Sequence, residues 1–360
     1  MNFKKSSLQL KVKVYSVIFI TALLYFSSLN CFAQDFTFSQ ASQIRHITNP
    51  ARIGSFNEDV RVSGAYRNQW YASGAPYEVV NLNAELNFFK NPFKLDKIGT
   101  MLGVVQDKMG NGALKTTYIS GGFSVFKSLD AVKRHKISFG LQGSVQLREL
   151  NPSAFTFDNQ FNAALRTYDI NLASNEVFGN KNQTFFQISM GAAYYFQASE
   201  KLQLQVNGSF IGLNSIQESF SILPDLGNST QKKRFTVGFE LSNKFTEQFS
   251  IQPLIYFNRQ GPSQEIVVGT WVGYRPGKFS ISPGLFYRVD DAFVPAIKID
   301  YANWTAAFSY DVTYTSVTGA TSKEKLIGLG GFGALEFTLS YRGIFRRKTG
   351  TKLSIPCRTF

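Results

Sequence analysis

The chain has 360 residues, of which 44% are hydrophobic and 15% aromatic, with a formal net charge of +14 and a mean hydropathy of −0.11. This average hydropathy excludes a bundle of membrane helices. It fits both a soluble protein and a transmembrane β-barrel, because only alternate residues of a barrel strand face lipid.

Residues 1–33 have the pattern of a secretory signal peptide. Four lysines precede the apolar run 14–29, and Cys31-Phe32-Ala33 supplies the small residues that a signal peptidase recognises. Cleavage near Ala33 would remove those four lysines and Cys31, lowering the formal net charge from +14 to +10. Cys357 would then be the single cysteine, which excludes an intramolecular disulfide and a thiolate metal cluster. An exported basic chain is expected to meet acidic proteins or outer-membrane lipid headgroups rather than nucleic acid.

The remaining chain alternates apolar and polar residues over many segments, which is the period of two of a β-strand. In the last segment, Leu335, Phe337 and Leu339 fall on one face and the intervening polar residues on the other. Each segment reaches the roughly nine to eleven residues that a tilted strand needs to cross an outer membrane. About fourteen segments are predicted: 58–70, 77–88, 97–107, 113–127, 135–148, 182–197, 200–213, 232–244, 248–258, 264–275, 278–288, 293–301, 303–314 and 332–345.

These segments predict an all-β fold, a transmembrane up-and-down antiparallel β-barrel of about 14 strands with short periplasmic turns and longer extracellular loops. The alternative, a secreted β-sandwich or propeller, would have strands of about five to six residues. With a periplasmic N-terminus, the long connections 149–181, 214–231 and 315–331 all fall on the outer side. Charged residues at polar positions are predicted to face the lumen: Glu85, Arg148, Lys201, Glu240, Lys298, Asp300, Glu336 and Arg342.

The sequence predicts no catalytic site, no metal site and no cofactor. His46 and His135, the two histidines, lie in a predicted coil and a predicted turn, away from any nucleophile or carboxylate motif. Gly328, Gly330 and Gly333 have the spacing of a dinucleotide-binding loop, but they precede a strand instead of opening a helix. We therefore interpret them as part of an outer loop, and the chain as not an enzyme.

Short motifs at both ends of the mature chain carry a family resemblance. They are Phe36-Thr37-Phe38-Ser39-Gln40, Asn49-Pro50-Ala51 with Gly54, Tyr66-Arg67-Asn68-Gln69-Trp70, Gly74-Ala75-Pro76, the stretch 331–341, and a basic tail ending in Pro356-Cys357-Arg358-Thr359-Phe360. This succession resembles the PorP/SprF family of outer-membrane proteins of the type IX secretion system, found in Bacteroidetes. Arg52 stands where that family usually has tyrosine.

The resemblance implies a non-enzymatic accessory barrel in the outer membrane that assists secretion or surface attachment of cargo, linked to gliding motility. Its expected partners are type IX components at the periplasmic face, cargo such as adhesins with a C-terminal sorting domain, and outer-membrane lipid. The implied organisation is a signal peptide (1–33), an N-terminal periplasmic or plug-like segment (34–57), the barrel (58–345) and a basic periplasmic tail (346–360). The residues implied as motif or partner contacts are Phe38, Gln40, Asn49, Pro50, Gly54, Tyr66, Arg67, Asn68, Gln69, Trp70, Arg346, Arg347, Lys348 and Cys357.

Two other functions are open on the same sequence. The lumen charges and a barrel wide enough to hold water fit an outer-membrane porin or a transporter of hydrophobic solutes. The long predicted outer loops fit a structural or adhesive barrel that acts through them.

Overall fold

The computed structural model describes residues 36–71, 75–89, 95–110, 113–163, 165–169, 171–175, 178–179, 181–218, 229–313 and 333–345. The strands are β1 (Val60–Gln69), β2 (Tyr77–Phe88), β3 (Lys97–Met109), β4 (Leu114–Ser128), β5 (His135–Leu150), β6 (Phe161–Asn162), β7 (Thr167–Tyr168), β8 (Asn182–Gln197), β9 (Leu202–Ile211), β10 (Gln217–Glu218), β11 (Ser229–Thr230), β12 (Arg234–Lys244), β13 (Phe249–Gln260), β14 (Ser263–Tyr274), β15 (Phe279–Arg288), β16 (Ala292–Tyr301), β17 (Trp304–Thr313) and β18 (Ala334–Gly343).

Fourteen of these strands close into one antiparallel barrel, in which each strand pairs with the next along the chain and β18 pairs with β1. The short strands β6 and β7 pair with each other, as do β10 and β11, within the long connections after β5 and β9. The predicted all-β barrel of about fourteen strands is confirmed, and every predicted segment overlaps one barrel strand. The predicted signal peptide, the connection 315–331 and the basic tail lie outside the described residues.

Alternation along each strand separates a lipid-facing surface from a polar interior. On β2, Val80 and Leu82 are 45% and 61% exposed, whereas Asn81, Asn83 and Glu85 are buried. This distribution is the reverse of a soluble protein, because the apolar face meets lipid and the polar face meets the lumen. Lys201, predicted to face the lumen, instead lies before β9 in an exposed turn.

The two ends of the barrel differ. The connections 129–134, 198–201, 245–248, 275–278 and 302–303 are short and lie at one end, where β1 begins and β18 ends. We call this the short-turn end. The connections after β5, β9 and β17 leave from the opposite, long-connection end.

Residues 36–59, which we call the N-terminal segment, lie inside the barrel. The segment contains the single-turn helix α1 (Arg45–Thr48) and a 3-10 turn (Pro50–Arg52). The Asn49 side chain caps the 3-10 turn by accepting a hydrogen bond from the Ala51 N–H at 2.8 Å, and proline suits the first position of such a turn. Among the described residues, no helix has the length and hydropathy needed to span a membrane.

Apolar side chains of the segment pack against inward-facing apolar residues of the wall. Phe38 and Ile44 form one cluster with Ala65, Val79 and Val105. A second cluster, centred on Trp271 and Phe286, lines the wall formed by β13 to β16. The segment thus has its own apolar core, and its Ala41 also packs against the second cluster.

Candidate functional site

The carboxylate of Glu336 on β18 binds the backbone of the N-terminal segment. Glu336 is fully buried, and its two oxygens accept hydrogen bonds from the backbone N–H groups of Ser39 and Gln40 at 2.8 and 2.9 Å. The Gln40 side chain donates to Ser309 Oγ at 3.0 Å and accepts from Thr338 Oγ1 at 3.0 Å. Hydrogen bonds to a charged group contribute about 1.5–3 kcal/mol each. This geometry explains the Phe-Ser-Gln motif: Phe38 enters the apolar cluster while the next two residues bind the wall.

A buried ionic network surrounds this contact. Arg67 on β1 bridges Glu336 at 3.0 Å and Asp311 on β17 at 2.9 Å, and it donates to Ser39 Oγ at 2.8 Å. Asp311 also binds Arg288 on β15 and accepts from Ser39 Oγ. Two guanidinium groups are therefore paired with Glu336 and Asp311 within the wall, and Arg288 also binds Glu265 and Asp291. The segment supplies the neutral hydroxyl between Arg67 and Asp311.

Asn49 and Pro50 bind the opposite part of the wall. The Asn49 side-chain amide donates to the Ala192 carbonyl at 3.1 Å, the Gly208 carbonyl at 2.9 Å and Asn207 Oδ1 at 3.3 Å. The same side chain caps the 3-10 turn, so one asparagine positions the turn and fixes it to β8 and β9. Replacement by alanine, which has neither the capping acceptor nor the amide donor, would lose both functions.

Wall glycines make room for this turn. A Cβ atom built at any of four inward-facing glycines would lie less than 3.0 Å from an atom of the segment; they are Gly99, Gly122, Gly140 and Gly191. Gly140 and Gly191 pair directly with each other on β5 and β8. At Gly140 the conflicting atoms belong to the backbone of Pro50 and Ala51, which no side-chain rotation can move. The close approach of two backbones therefore requires glycine at this position.

Gly54 contacts β2 and β3. Its φ of +69° lies in the left-handed region, and an added Cβ would also meet the Gly99 backbone at 2.8 Å. Its N–H donates to Glu85 Oε2 at 2.7 Å, and its carbonyl accepts from Lys97 Nζ at 2.6 Å. Arg61 neutralises Glu85 from the neighbouring strand. Both the conformation and the contacts exclude larger residues.

Arg52 extends from the 3-10 turn to β12 and β13, the strands that follow β9 in the barrel wall. Its guanidinium group pairs with Glu240 on β12 and donates to the Tyr256 hydroxyl on β13. His46 is also buried, and desolvation lowers its pKa to about 4. A neutral imidazole is therefore the form that fits the docked segment at neutral pH.

The remaining predicted residues of the Tyr66–Trp70 motif divide between two faces. Arg67 and Gln69 point into the lumen, whereas Tyr66 and Asn68 lie on the outer face and both contact Glu78. Trp70 follows the end of β1 and packs edge-on against Tyr77 at a ring separation of 5.2 Å. The motif therefore does not form one contact surface. Arg346, Arg347, Lys348 and Cys357 lie outside the described residues.

Sequence reasoning missed Asp311, Arg288 and the wall glycines. Asp311 is the one acidic residue of β17. Its place in the alternation of that strand could have predicted that its side chain faces the lumen. Each of the four wall glycines is, in its own strand, only a residue with low strand propensity, so the local sequence does not identify it as part of a site; they are Gly99, Gly122, Gly140 and Gly191.

Within the described part of the chain, no group of three His, Cys, Asp or Glu side chains could hold a metal ion. His135 instead contacts the Tyr194 hydroxyl at 2.7 Å.

Comparison with solved structures gives outer-membrane barrels. The toluene transporter TbuX of Ralstonia pickettii superposes with a TM-score of 0.52 at 11% identity, covering 83% of this chain and 92% of TbuX. A Pseudomonas aeruginosa FadL homologue gives a TM-score of 0.49 at 10% identity, covering 82% and 92% of the two chains. At 11% identity the likeness to TbuX shows the fold alone. No curated protein sequence gave a significant match.

Comparison with protein families gives one match that spans most of the chain. The family model described as type IX secretion system membrane protein PorP/SprF matches residues 30–326. This range includes the N-terminal segment and most of the closed barrel. The barrel and the family together make this an outer-membrane protein with multiple membrane-spanning strands. The chain belongs to the PorP/SprF family of type IX secretion system membrane proteins.

Proposed function

We propose that this protein is an accessory barrel of the type IX secretion system that assists secretion or surface attachment of particular cargo proteins. The observation that carries the proposal is that the chain's own N-terminal segment occupies the lumen. Its motif residues hold it against the wall: Phe38, Gln40, Asn49, Pro50 and Gly54. A lumen occupied by ordered polypeptide favours a protein-binding role over free diffusion of solutes.

The short-turn end is the periplasmic end in this proposal. Outer-membrane barrels place short turns in the periplasm and longer loops outside. The N-terminal segment joins β1 at this end, and the basic tail follows β18 there, because β1 begins and β18 ends at this end. Residues 34–57 and 346–360, with Arg346, Arg347, Lys348 and Cys357, are the proposed contacts for periplasmic components of the system. Export to this compartment depends on the signal peptide 1–33.

The role is one of binding and needs neither catalysis nor a cofactor. The proposed cargo is an adhesin-like protein with a C-terminal sorting domain, and its surface display is the proposed link to gliding motility. Lipid surrounds the apolar outer belt, of which Leu102, 73% exposed on β3, is part.

A second candidate function is transport of hydrophobic solutes. The observation in its favour is the apolar cluster of β13 to β16 inside the lumen, which includes Trp271 and Phe286 with ring centroids 5.0 Å apart. A third candidate is an adhesive barrel that acts through its long connections, of which 149–181 is the longest that the structure describes in part.

A strain that lacks the protein distinguishes these functions. Two properties of the strain are measured: surface display of sorting-domain adhesins and uptake of toluene. We expect loss of display with unchanged uptake. Normal display with impaired uptake would refute the proposed function in favour of transport.

Two truncations in the complemented strain refine the result. Removal of 346–360 should leave an inserted barrel with impaired display, whereas trimming 149–181 should leave display intact. Loss of display only when 149–181 is trimmed would favour the adhesive barrel.

A further inference from the structure

A large basic cavity opens at the short-turn end of the barrel. Its volume is about 870 Å³, and its walls come from the N-terminal segment and from the ends and turns of the surrounding strands. We call it the vestibule. Eleven of its lining residues are basic and four are acidic, so it has an excess of seven positive charges. Such an excess inside a low-dielectric wall concentrates the electrostatic field within the cavity.

Three of the vestibule cations have neutral partners. Lys97 donates to two backbone carbonyls of the segment, Arg45 to the Ser55 carbonyl at 2.6 Å, and Lys298 to Gln252 Oε1 at 3.3 Å. None of the ion pairs among the described residues includes these three cations. Lys97 and Lys298 are 8% and 9% exposed. Arg45 is half-buried. A cation held largely away from water without a counter-ion is unfavourable, so a bound anion would stabilise all three.

The pKa of Arg45 reflects the same excess of positive charge. Desolvation, and repulsion by the guanidinium groups of Arg61 and Arg52, lower this pKa to about 10. The nearby guanidinium groups, of which Arg61 lines the vestibule, therefore raise the free energy of the charged Arg45 more than the nearby acids lower it. An added negative charge would reverse this balance.

Trp271 adds a hydrogen-bond donor to the vestibule wall. It is 2% exposed, and its indole Nε1–H has no hydrogen-bond partner among the described residues. Lys298 Nζ lies 4.8 Å from the centre of the Trp271 ring. A cation without a carboxylate partner therefore lies over the ring of a residue whose N–H donor is unpaired, and both kinds of group bind carboxylates.

Exposed cations on separate turns extend this positive surface to the mouth. Arg134, Arg275 and Lys278 line the vestibule on the turns after β4 and β14. Cations of the interior and of two separate turns line one cavity, so an extended polyanion can pair with more of them than a single small anion can. Lipid headgroups surround the outer face of the barrel, and the strands separate them from the lumen. The distribution of charge therefore favours a polypeptide with several Asp or Glu side chains.

We propose that the vestibule binds an acidic polypeptide segment of a protein that approaches the short-turn end. The proposal rests on the proposed function only in taking that end as periplasmic, and it adds the chemistry of the partner. Carboxylates of the acidic segment pair with Lys97, Lys298 and Arg45 inside, and with the turn cations at the mouth.

The test measures binding of a polyglutamate decapeptide to the purified full-length protein in detergent micelles by calorimetry. The test variant combines Arg134→Glu, Arg275→Glu and Lys278→Glu, all at exposed turn positions where folding is least affected. The matched control combines Lys181→Glu, Lys232→Glu and Lys233→Glu, exposed cations at the long-connection end. Both variants change the net charge equally.

We expect the test variant to weaken peptide binding about tenfold or more, and the control to change it less than about twofold. Raising the ionic strength should weaken binding to the wild type. The proposal is wrong if the wild type does not bind the peptide, or if both variants lose affinity equally. Displacement of the peptide by inorganic phosphate at equal charge would identify a site for small anions, and displacement only by short-chain phosphatidylglycerol a lipid site; either would overturn it.

This measurement does not depend on secretion in the cell. If the purified protein binds the peptide but deletion leaves adhesin display intact, the proposed function fails and the vestibule site stands. If deletion abolishes display but the peptide does not bind, the reverse holds.

Discussion

Substitution of Gly140 by alanine should release the N-terminal segment from the wall while leaving the barrel closed. The new methyl group would occupy the place of the Pro50 and Ala51 backbone, so the 3-10 turn must move away from β5. Ser138, which donates to the Ala51 carbonyl at 2.8 Å, would lose its partner. The three hydrogen bonds of the Asn49 amide to β8 and β9 would be lost with it.

The magnitude follows from these four hydrogen bonds. At about 1 kcal/mol each, their loss weakens docking of the segment by roughly 4 kcal/mol. Since about 1.4 kcal/mol corresponds to a factor of ten, the undocked fraction should increase roughly 700-fold.

Limited trypsin digestion measures that fraction. Arg52 is 1% exposed in the docked segment, so trypsin can cleave after it only when the segment has left the wall. Where reclosing is faster than cleavage, the cleavage rate follows the population of the open form. Mass spectrometry would follow the new end at Ile53, and circular dichroism would verify that the β content is unchanged.

Gly143→Ala is the matched control on the same strand. Gly143 faces outward, and its nearest neighbour would be the Phe186 ring at 3.3 Å, which can rotate. Cleavage after Arg52 should therefore stay slow. Slow cleavage in Gly140→Ala as well, or equally fast cleavage in both variants, would refute docking of the 3-10 turn against β5.

Leu102→Arg, at the middle of β3, should destabilise the inserted barrel by roughly 2–4 kcal/mol, whereas Gln106→Arg, on the same face nearer the strand end, should cost less than about 1 kcal/mol. Heat-dependent electrophoretic mobility of membrane fractions measures this, and equal assembly of both variants would contradict the lipid-facing assignment. Lowering the pH should weaken docking of the segment, because burial lowers the pKa of His46 to about 4 and protonation then favours the undocked form. Docking is unaffected above about pH 6.5 and loses about 1.4 kcal/mol per unit from there towards pH 4, or roughly 2 kcal/mol at pH 5. Hydrogen exchange in residues 45–56, corrected for intrinsic rates, should show this loss in the wild type; the same pH dependence in His46→Gln would exclude His46 as its cause.

The amino-acid sequence by itself determined the barrel. The period of two is a local property, so each strand and its lipid-facing side can be read from about ten consecutive residues. Val80 and Leu82 outward, and Asn81 and Glu85 inward, follow from parity alone. The antiparallel order follows too, because neighbouring segments joined by short turns pair with each other.

Only the tertiary structure decided what the lumen holds. Gln40 meets Glu336 across 296 residues of chain, and Asn49 meets Gly208 across 159. No local pattern encodes such contacts, because they form only when distant strands of the wall surround the N-terminal segment. Gly140 illustrates the difference: in the sequence it is a weak residue within a strand, and in the closed barrel it is the position where the backbone of Pro50 touches the wall. The physical reason is that strand parity depends on neighbours along the chain, whereas the site depends on groups that only barrel closure brings together.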